Sequence, residues 1–277
     1  MVNVSVVIPT YNRRPLLERA LLSVLAQSSP ASEVIVVDDG SSDGTDELIG
    51  ARYPQVRYFY QENRGVSSAR NRGIRESAGE WIALLDSDDE WKPEKLARQS
   101  AALSEHPGFD LCHCEEDWVR AGVRVNQGAR HAKSGGHILQ RCLHLCVISP
   151  SAALVRRTVF NDIGLFDEDL PACEDYDFWL RFCSRRPVLF VDESLVIKHG
   201  GRDDQLSRRI EGLDRYRVRA LAKLLHMGIL EESDARAARR VMVEKARIFA
   251  AGARKRGRES EADEIIALVG AHEDGSR

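Results

Sequence analysis

The 277-residue sequence lacks any apolar run long enough to cross a bilayer. Its strongly apolar runs, such as Val4 to Ile8 and Val34 to Val37, are strand-sized against the ~20 residues a spanning helix needs. The N-terminus has no basic stretch leading into an apolar run and a small-residue cleavage site, because Pro9 and Asn12 come too early. A cytoplasmic location is therefore expected. Charge of one sign is also missing: forty Lys and Arg face forty-three Asp and Glu, a formal net charge of −3. No global basic field argues for nucleic acid as a partner. Neither G-x-G-x-x-G nor G-x-x-x-x-G-K-S/T occurs, which sets aside dinucleotide-binding and P-loop functions. Six cysteines in a 277-residue core do not make a disulfide scaffold and are expected as free thiols, and with no C-x-x-C pair zinc is poorly supported. No repeat implies a solenoid.

What remains is an ordinary globular composition, 43% hydrophobic and 30% charged, which excludes fibrous, low-complexity and disordered classes. The first half alternates β-branched runs with helical spacing, the pattern of successive β-α units in a parallel sheet. Strands are expected at Asn3 to Ile8, Glu33 to Asp38, Val56 to Tyr60 and Glu80 to Leu85. Helices are expected at Pro15 to Gln27, Thr45 to Ala51 and Val66 to Ser77, covering both faces of the sheet. A Pro93-initiated helix and a strand at Phe109 to Cys114 follow, then a less regular stretch to about Ser149. Beyond it come strands at Ala152 to Val155 and Val188 to Val191, flanking an acidic-aromatic helix from Glu174 to about Cys183. Three helical segments, Glu211 to His226, Glu231 to Lys255 and Glu259 to Ala271, form a C-terminal annex.

In an open parallel sheet, ligands gather at the carboxyl ends of the strands. Here the first strand runs into Pro9-Thr10-Tyr11-Asn12, the second into Asp38-Asp39-Gly40-Ser41-Ser42-Asp43-Gly44-Thr45, and the fourth into Asp86-Ser87-Asp88-Asp89. One crevice would hold all three. Helix capping is an adequate alternative for Asp43 and Thr45. Carboxylates one residue apart at the end of a buried strand repel one another unless a cation offsets them, which points to Mg²⁺ or Mn²⁺ with substrate phosphates completing the shell.

These stretches, with Asn63-Arg64-Gly65 and Ala69-Arg70-Asn71-Arg72-Gly73, resemble in order and spacing the family 2 glycosyltransferases, which have the GT-A nucleotide-sugar fold. The resemblance extends to Glu174-Asp175-Tyr176-Asp177-Phe178-Trp179-Leu180-Arg181, covering about residues 3 to 209. It implies a GT-A catalytic domain over 1–209, with a nucleotide-sugar half to about 115 and an acceptor half over 116–209, and a helical annex over 210–277. It implies inverting transfer from a nucleoside-diphosphate sugar, UDP-linked by expectation, to an acceptor hydroxyl in glycan or polysaccharide biosynthesis. Pro9, Thr10, Tyr11, Asn12, Asp39, Arg70, Asp86 and Ser87 would surround the nucleotide, with Asp88 and His199 at the metal. Asp175 would be the base, with Glu174 the other candidate.

Gln205 and Arg208 loosely match the Gln-x-x-Arg-Trp signature of processive synthases, but Arg209 replaces the Trp. Residues Arg236 to Arg258 carry nine basic side chains and one acidic, Glu244, interleaved with apolar ones. A peripheral contact with the inner face of the membrane, near a lipid-linked acceptor, and a solvated helix face both fit that pattern. Two other functions are compatible with an α/β nucleotide-sugar fold. A sugar nucleotidyltransferase would want a Gly-rich loop where Pro9-Thr10-Tyr11-Asn12 stands. An inactive nucleotide-sugar-binding module would have no need of Asp86, Asp88 and Asp175.

Overall fold

The computed structural model describes residues 2–202, 205 and 209–273. Arg208 lies outside the described residues. By its internal contacts the chain forms two compact units. The first comprises Met1–His137, Val147–Pro171 and Arg186–Arg202; the second comprises Ile138–Cys146, Ala172–Arg185 and Asp203–Arg277.

The first unit is built on one sheet. Strands β1 (Val4–Thr10), β2 (Glu33–Asp38), β3 (Arg57–Tyr60) and β4 (Trp81–Leu84) run parallel in the order β3-β2-β1-β4. Every residue of β1 is buried, as a central strand covered on both faces requires. Helix α1 (Arg14–Leu25) turns Leu17, Ala20, Leu21 and Val24 inward, and with α2 (Thr45–Arg52) and α4 (Lys95–Glu105) covers the Val4, Val6, Ile8 face. Helix α3 (Val66–Glu76) covers the other, where Ala69 packs on Ile35 and Val37. Gly73 makes this possible: a Cβ there would stand 2.3 Å from Val7 Cγ1.

The sheet continues past β4 through antiparallel β8 (Leu154–Arg156) to β6 (Leu111–Arg120), which pairs in parallel with β9 (Leu189–Gly200). Strand β5 (Glu90–Trp91) closes that edge, and β7 (Val123–Val125) hairpins onto β6. A short helix α6 (Val159–Asp162) follows β8. Two strands are longer than the sequence pattern predicts. Glu115, Glu116 and Asp117 extend β6 with their carboxylates partnered: Gln127 donates to Glu115, Lys133 pairs with Glu116, and Lys92 and Arg124 pair with Asp117. Polar Asp192, Glu193 and Ser194 likewise conceal the continuation of β9 across a register shift. His199 therefore sits in a strand and not, as its glycine neighbours suggest, on a loop after one.

The second unit is helical: α5 (Leu139–His144), α7 (Glu174–Cys183), α8 (Asp214–His226), α9 (Glu232–Lys255) and α10 (Glu259–Glu273). Ala235, Ala238, Val241, Met242, Phe249 and Ala253 form the buried stripe of α9. Among the described residues no helix is long and apolar enough to cross a membrane.

Candidate active site

Within the first unit, the loops after β1, β2 and β4 are tied to one another by backbone and side-chain bonds. Asn12, held at φ 50°, donates its N–H to Ser41 Oγ at 2.8 Å and accepts the Ser42 N–H at 2.8 Å. Asp39 N–H donates to the Thr10 carbonyl at 2.9 Å. Asp43 accepts from Arg14 N–H at 2.8 Å and from Thr45 Oγ1 at 2.6 Å, so here it acts as a cap. Pro9 ends inside β1, Thr10 is buried, and Tyr11 projects to solvent.

The Asp39 carboxylate is buried at the start of α3. It accepts the Gly65 N–H at 2.8 Å, the Arg64 N–H at 3.0 Å and the Gln61 amide at 2.7 Å. Burial raises its proton affinity; those three donors offset the rise only in part, and the Asp38 charge adds to it. Gly40, at φ 91°, lets this turn pass the Asn63 backbone, which a Cβ would meet at 2.9 Å.

The loop after β4 concentrates charge. Arg70, buried on α3, pairs with Asp86 through Nη2 at 2.6 Å and lies over the Phe166 ring. Asp88 meets Arg13 at 3.3 Å, and its carbonyl accepts from Arg19 at 2.6 Å. Asp89 accepts from Ser151 Oγ at 2.7 Å and from the His199 N–H at 3.1 Å, joining this loop to β9. Ser87 is buried between these aspartates. His199 Nε2 lies 2.5 Å from Glu90 Oε1.

The three carboxyls respond differently to this setting. Burial pushes Asp86 up, but Arg70, Lys198 and Arg13 outweigh it and leave the group below its ordinary value. Asp88 is raised by burial and by the Asp86 charge, against the pull of Arg13, Arg202 and Lys198. Asp89 is pushed up to about 8, by burial first, with Lys198 opposing and Asp88 and Asp86 adding to the rise. The cations present thus outweigh burial at Asp86 and fall short of it at Asp88. That is where a further cation, or the cationic shell around a diphosphate, fits the donor set. Among the described residues no group of three or more His, Cys, Asp or Glu is arranged to hold a metal ion.

The structure therefore brings together Pro9 to Asn12, Asp39, Arg70, Asp86, Ser87, Asp88 and His199 in the first unit. Sequence reasoning missed Arg13, Arg19, Glu90, Ser151 and Lys198, which hold or offset these groups. Arg13 and Lys198 were within reach, each being next to a residue already singled out. Arg19 and Ser151 carry no local signal, since their partners lie 69 and 62 residues away.

Glu174 and Asp175 belong to the second unit, in the first turn of α7. Glu174 is buried, whereas Asp175 is half-exposed. Asp175 Oδ1 accepts the Tyr176 N–H at 2.7 Å, and Oδ2 accepts from the Cys146 thiol at 3.4 Å. Asp177 is committed to Arg181 at 2.8 Å and Lys223 at 3.2 Å.

Residues 5–164 match the model of glycosyl transferase family 2, and the chain belongs to that family. It is 32% identical over 225 residues to an uncharacterized glycosyltransferase of Rickettsia conorii, covering 75% of this chain and 35% of that one. This chain thus spans about a third of that relative's length. A Bacillus subtilis relative named for teichuronic acid biosynthesis, TuaG, is 40% identical over 107 residues, covering 37% of this chain and 42% of its own. Among solved structures, S. aureus TarS 1-349 in complex with UDP-GlcNAc superposes with a TM-score of 0.70 at 22% identity, over 88% of this chain and 71% of that one. A mannosyltransferase from Pyrobaculum calidifontis, in complex with GDP-Man and Mn²⁺, gives a TM-score of 0.60 at 18% identity, over 100% and 88%. The α/β fold is common to all three.

Proposed function

We propose that this chain is an inverting glycosyltransferase that moves a sugar from a nucleoside-diphosphate donor to an acceptor hydroxyl in glycan or polysaccharide biosynthesis. The observation that carries the reading is the bonded set of loops after β1, β2 and β4, with Arg70 and Asp86 paired inside it. Pro9 to Asn12 and Asp39 line the base and ribose side. Arg70, Arg13 and Lys198 offer cationic donors for phosphate oxygens. The UDP-GlcNAc held by TarS supports UDP as the carrier, and TuaG supports a polysaccharide product.

Asp88 is the residue we assign to a divalent ion, with Asp86 behind it; His199 would join only on leaving Glu90. Such an ion, when bound, neutralises charge on the departing diphosphate. Asp175 takes the acceptor hydroxyl proton as the acceptor oxygen bonds to the anomeric carbon and the bond from that carbon to the diphosphate oxygen breaks. Its half-exposed carboxylate suits that task better than the buried Glu174. The outward Arg240, Arg247 and Lys255 of α9 suit an anionic lipid surface at the cytoplasmic side, close to a lipid-linked acceptor.

The test is a thermal-shift screen of UDP-, GDP-, CMP- and dTDP-sugars with and without Mn²⁺ or Mg²⁺. A donor at a hundred times its Kd should add roughly 2.7 kcal/mol to stability. One nucleotide giving a metal-dependent shift, and release of its nucleoside diphosphate that falls at least ~100-fold in Asp175→Asn, is the expected result. No shift with any donor in folded protein would remove the reading.

A further inference from the structure

The second unit contains a thiol whose placement the transfer reaction does not by itself explain. Cys146 follows α5 by two residues, and α5 is fixed against α7 at two points. Tyr176 OH donates to the Leu143 carbonyl at 2.5 Å, and the buried Cys142 and Cys183 sulfurs meet at 3.8 Å. These contacts leave Cys146 beside the first turn of α7, where its Sγ donates to Asp175 Oδ2 at 3.4 Å. The other carboxylate oxygen is held by the Tyr176 N–H.

From this geometry we infer that Cys146 is a positioning residue for the Asp175 carboxylate. The inference rests on the reading of Asp175 as the base. A carboxylate at the N-terminal turn of a helix keeps one oxygen on a backbone amide, and rotation about its Cβ–Cγ bond is then limited only by what the second oxygen touches. The thiol supplies that second contact. It is a weak donor, so it fixes the carboxylate plane while leaving a lone pair of Oδ2 for a hydroxyl proton. A stronger donor such as an arginine would compete with the acceptor for the same oxygen and lower its basicity. A well-placed base matters because small displacements of the proton acceptor reduce the population of reactive geometries.

The experiment compares Cys146→Ala, Cys146→Ser and Asp175→Asn in the full chain. It follows release of nucleoside diphosphate from whichever of the four sugar nucleotides binds, water serving as acceptor. Loss of one weak hydrogen bond corresponds to roughly a fivefold effect. Cys146→Ala should lower kcat by about that factor with the donor KM unchanged, and Cys146→Ser should restore kcat to within about twofold. If Cys146→Ala fails to fold, the isosteric pair Cys146→Thr and Cys146→Val makes the same comparison with and without a donor hydroxyl. Full kcat in the variants lacking a donor, while Asp175→Asn is inactive, overturns the role of Cys146 and keeps the base. Full activity in Asp175→Asn, or no turnover by the parent chain with any of the four donors, overturns the base or the transferase reading, and the role of Cys146 with it. Equal losses in the Ala and Ser variants mean that volume and not hydrogen bonding matters, and also overturn it.

Discussion

Lys133→Met is expected to destabilise the first unit by about 3–5 kcal/mol, the usual cost of leaving a buried charge without its partner. Lys133 Nζ lies 3.0 Å from Glu116 Oε1, with the two side chains only 4% and 2% exposed, so solvent does little to screen the pair. Burial alone would push Glu116 up. The Lys133 and Lys198 charges and the hydrogen bonds from Lys133 and Trp118 outweigh it and hold the group at about 2. Against an ordinary value of 4.5, that depression corresponds to roughly 3 kcal/mol at about 1.4 kcal/mol per pH unit, in line with the mutational figure. The sign follows from the depressed value. The contribution is complete above about 4.5 and disappears as pH falls towards about 2. Urea unfolding followed by tryptophan fluorescence at pH 7 measures the loss. The Glu116→Met, Lys133→Met double variant should recover most of it, because two apolar groups leave no orphaned charge. A Lys133→Met protein within 1 kcal/mol of the parent, or a double variant as weak as the single one, would refute the argument.

Three further outcomes are expected. Gly73→Ala forces a Cβ to within 2.3 Å of Val7 Cγ1 and should cost about 1–3 kcal/mol, visible as a lower Tm; an unchanged Tm would mean α3 does not lie so close to β1. Arg70→Met removes the partner of Asp86 and a phosphate donor. Donor Kd should rise at least ~10-fold in protein that remains folded, and an unaltered Kd would take Arg70 out of the nucleotide site. Asp88→Asn should erase the metal-dependent part of the donor thermal shift and keep the metal-independent part, whereas loss of both or neither would remove Asp88 from the metal.

The first four strands and three helices were legible because each is encoded locally, by β-branched runs, an inward stripe and a turn-forming loop. So were the loops that follow the strands, since Asp, Ser and Gly accumulate there. The Glu174 to Cys183 helix was legible by its acidic first turn and aromatic interior. The halves of β6 and β9 beyond Cys114 and Val191 were not, because polar residues there are paired across the sheet rather than excluded from it. The same limit applies to chemistry. Asp86 and Asp88 stand out by type and spacing, and Asp175 is singled out only through the family resemblance. Arg19, Ser151 and Cys146 acquire meaning only from partners tens of residues away. Asp39 shows a third case, where the residue was singled out but its three protein donors were not foreseen.

Between Cys114 and Glu116 the pairing of β6 with β9 slips: the span Cys114 to Glu116 faces the longer span Val191 to Val196. On β9, Val191 packs against the apolar core before the slip, and Leu195 and Val196 lie within it after the slip. The surplus residues lie on β9, an irregularity that resets which of its residues stand opposite an uninterrupted β6. The pair therefore behaves as two reading frames joined at one place in β9. Deleting one of residues 192–195 would move the frame by one along the rest of β9, and with it the alignment of Lys198 and His199 opposite Trp118 and Val119. Length at this point is as constrained as identity: a variant with the right residues and one fewer of them would turn its site strand by half a pleat.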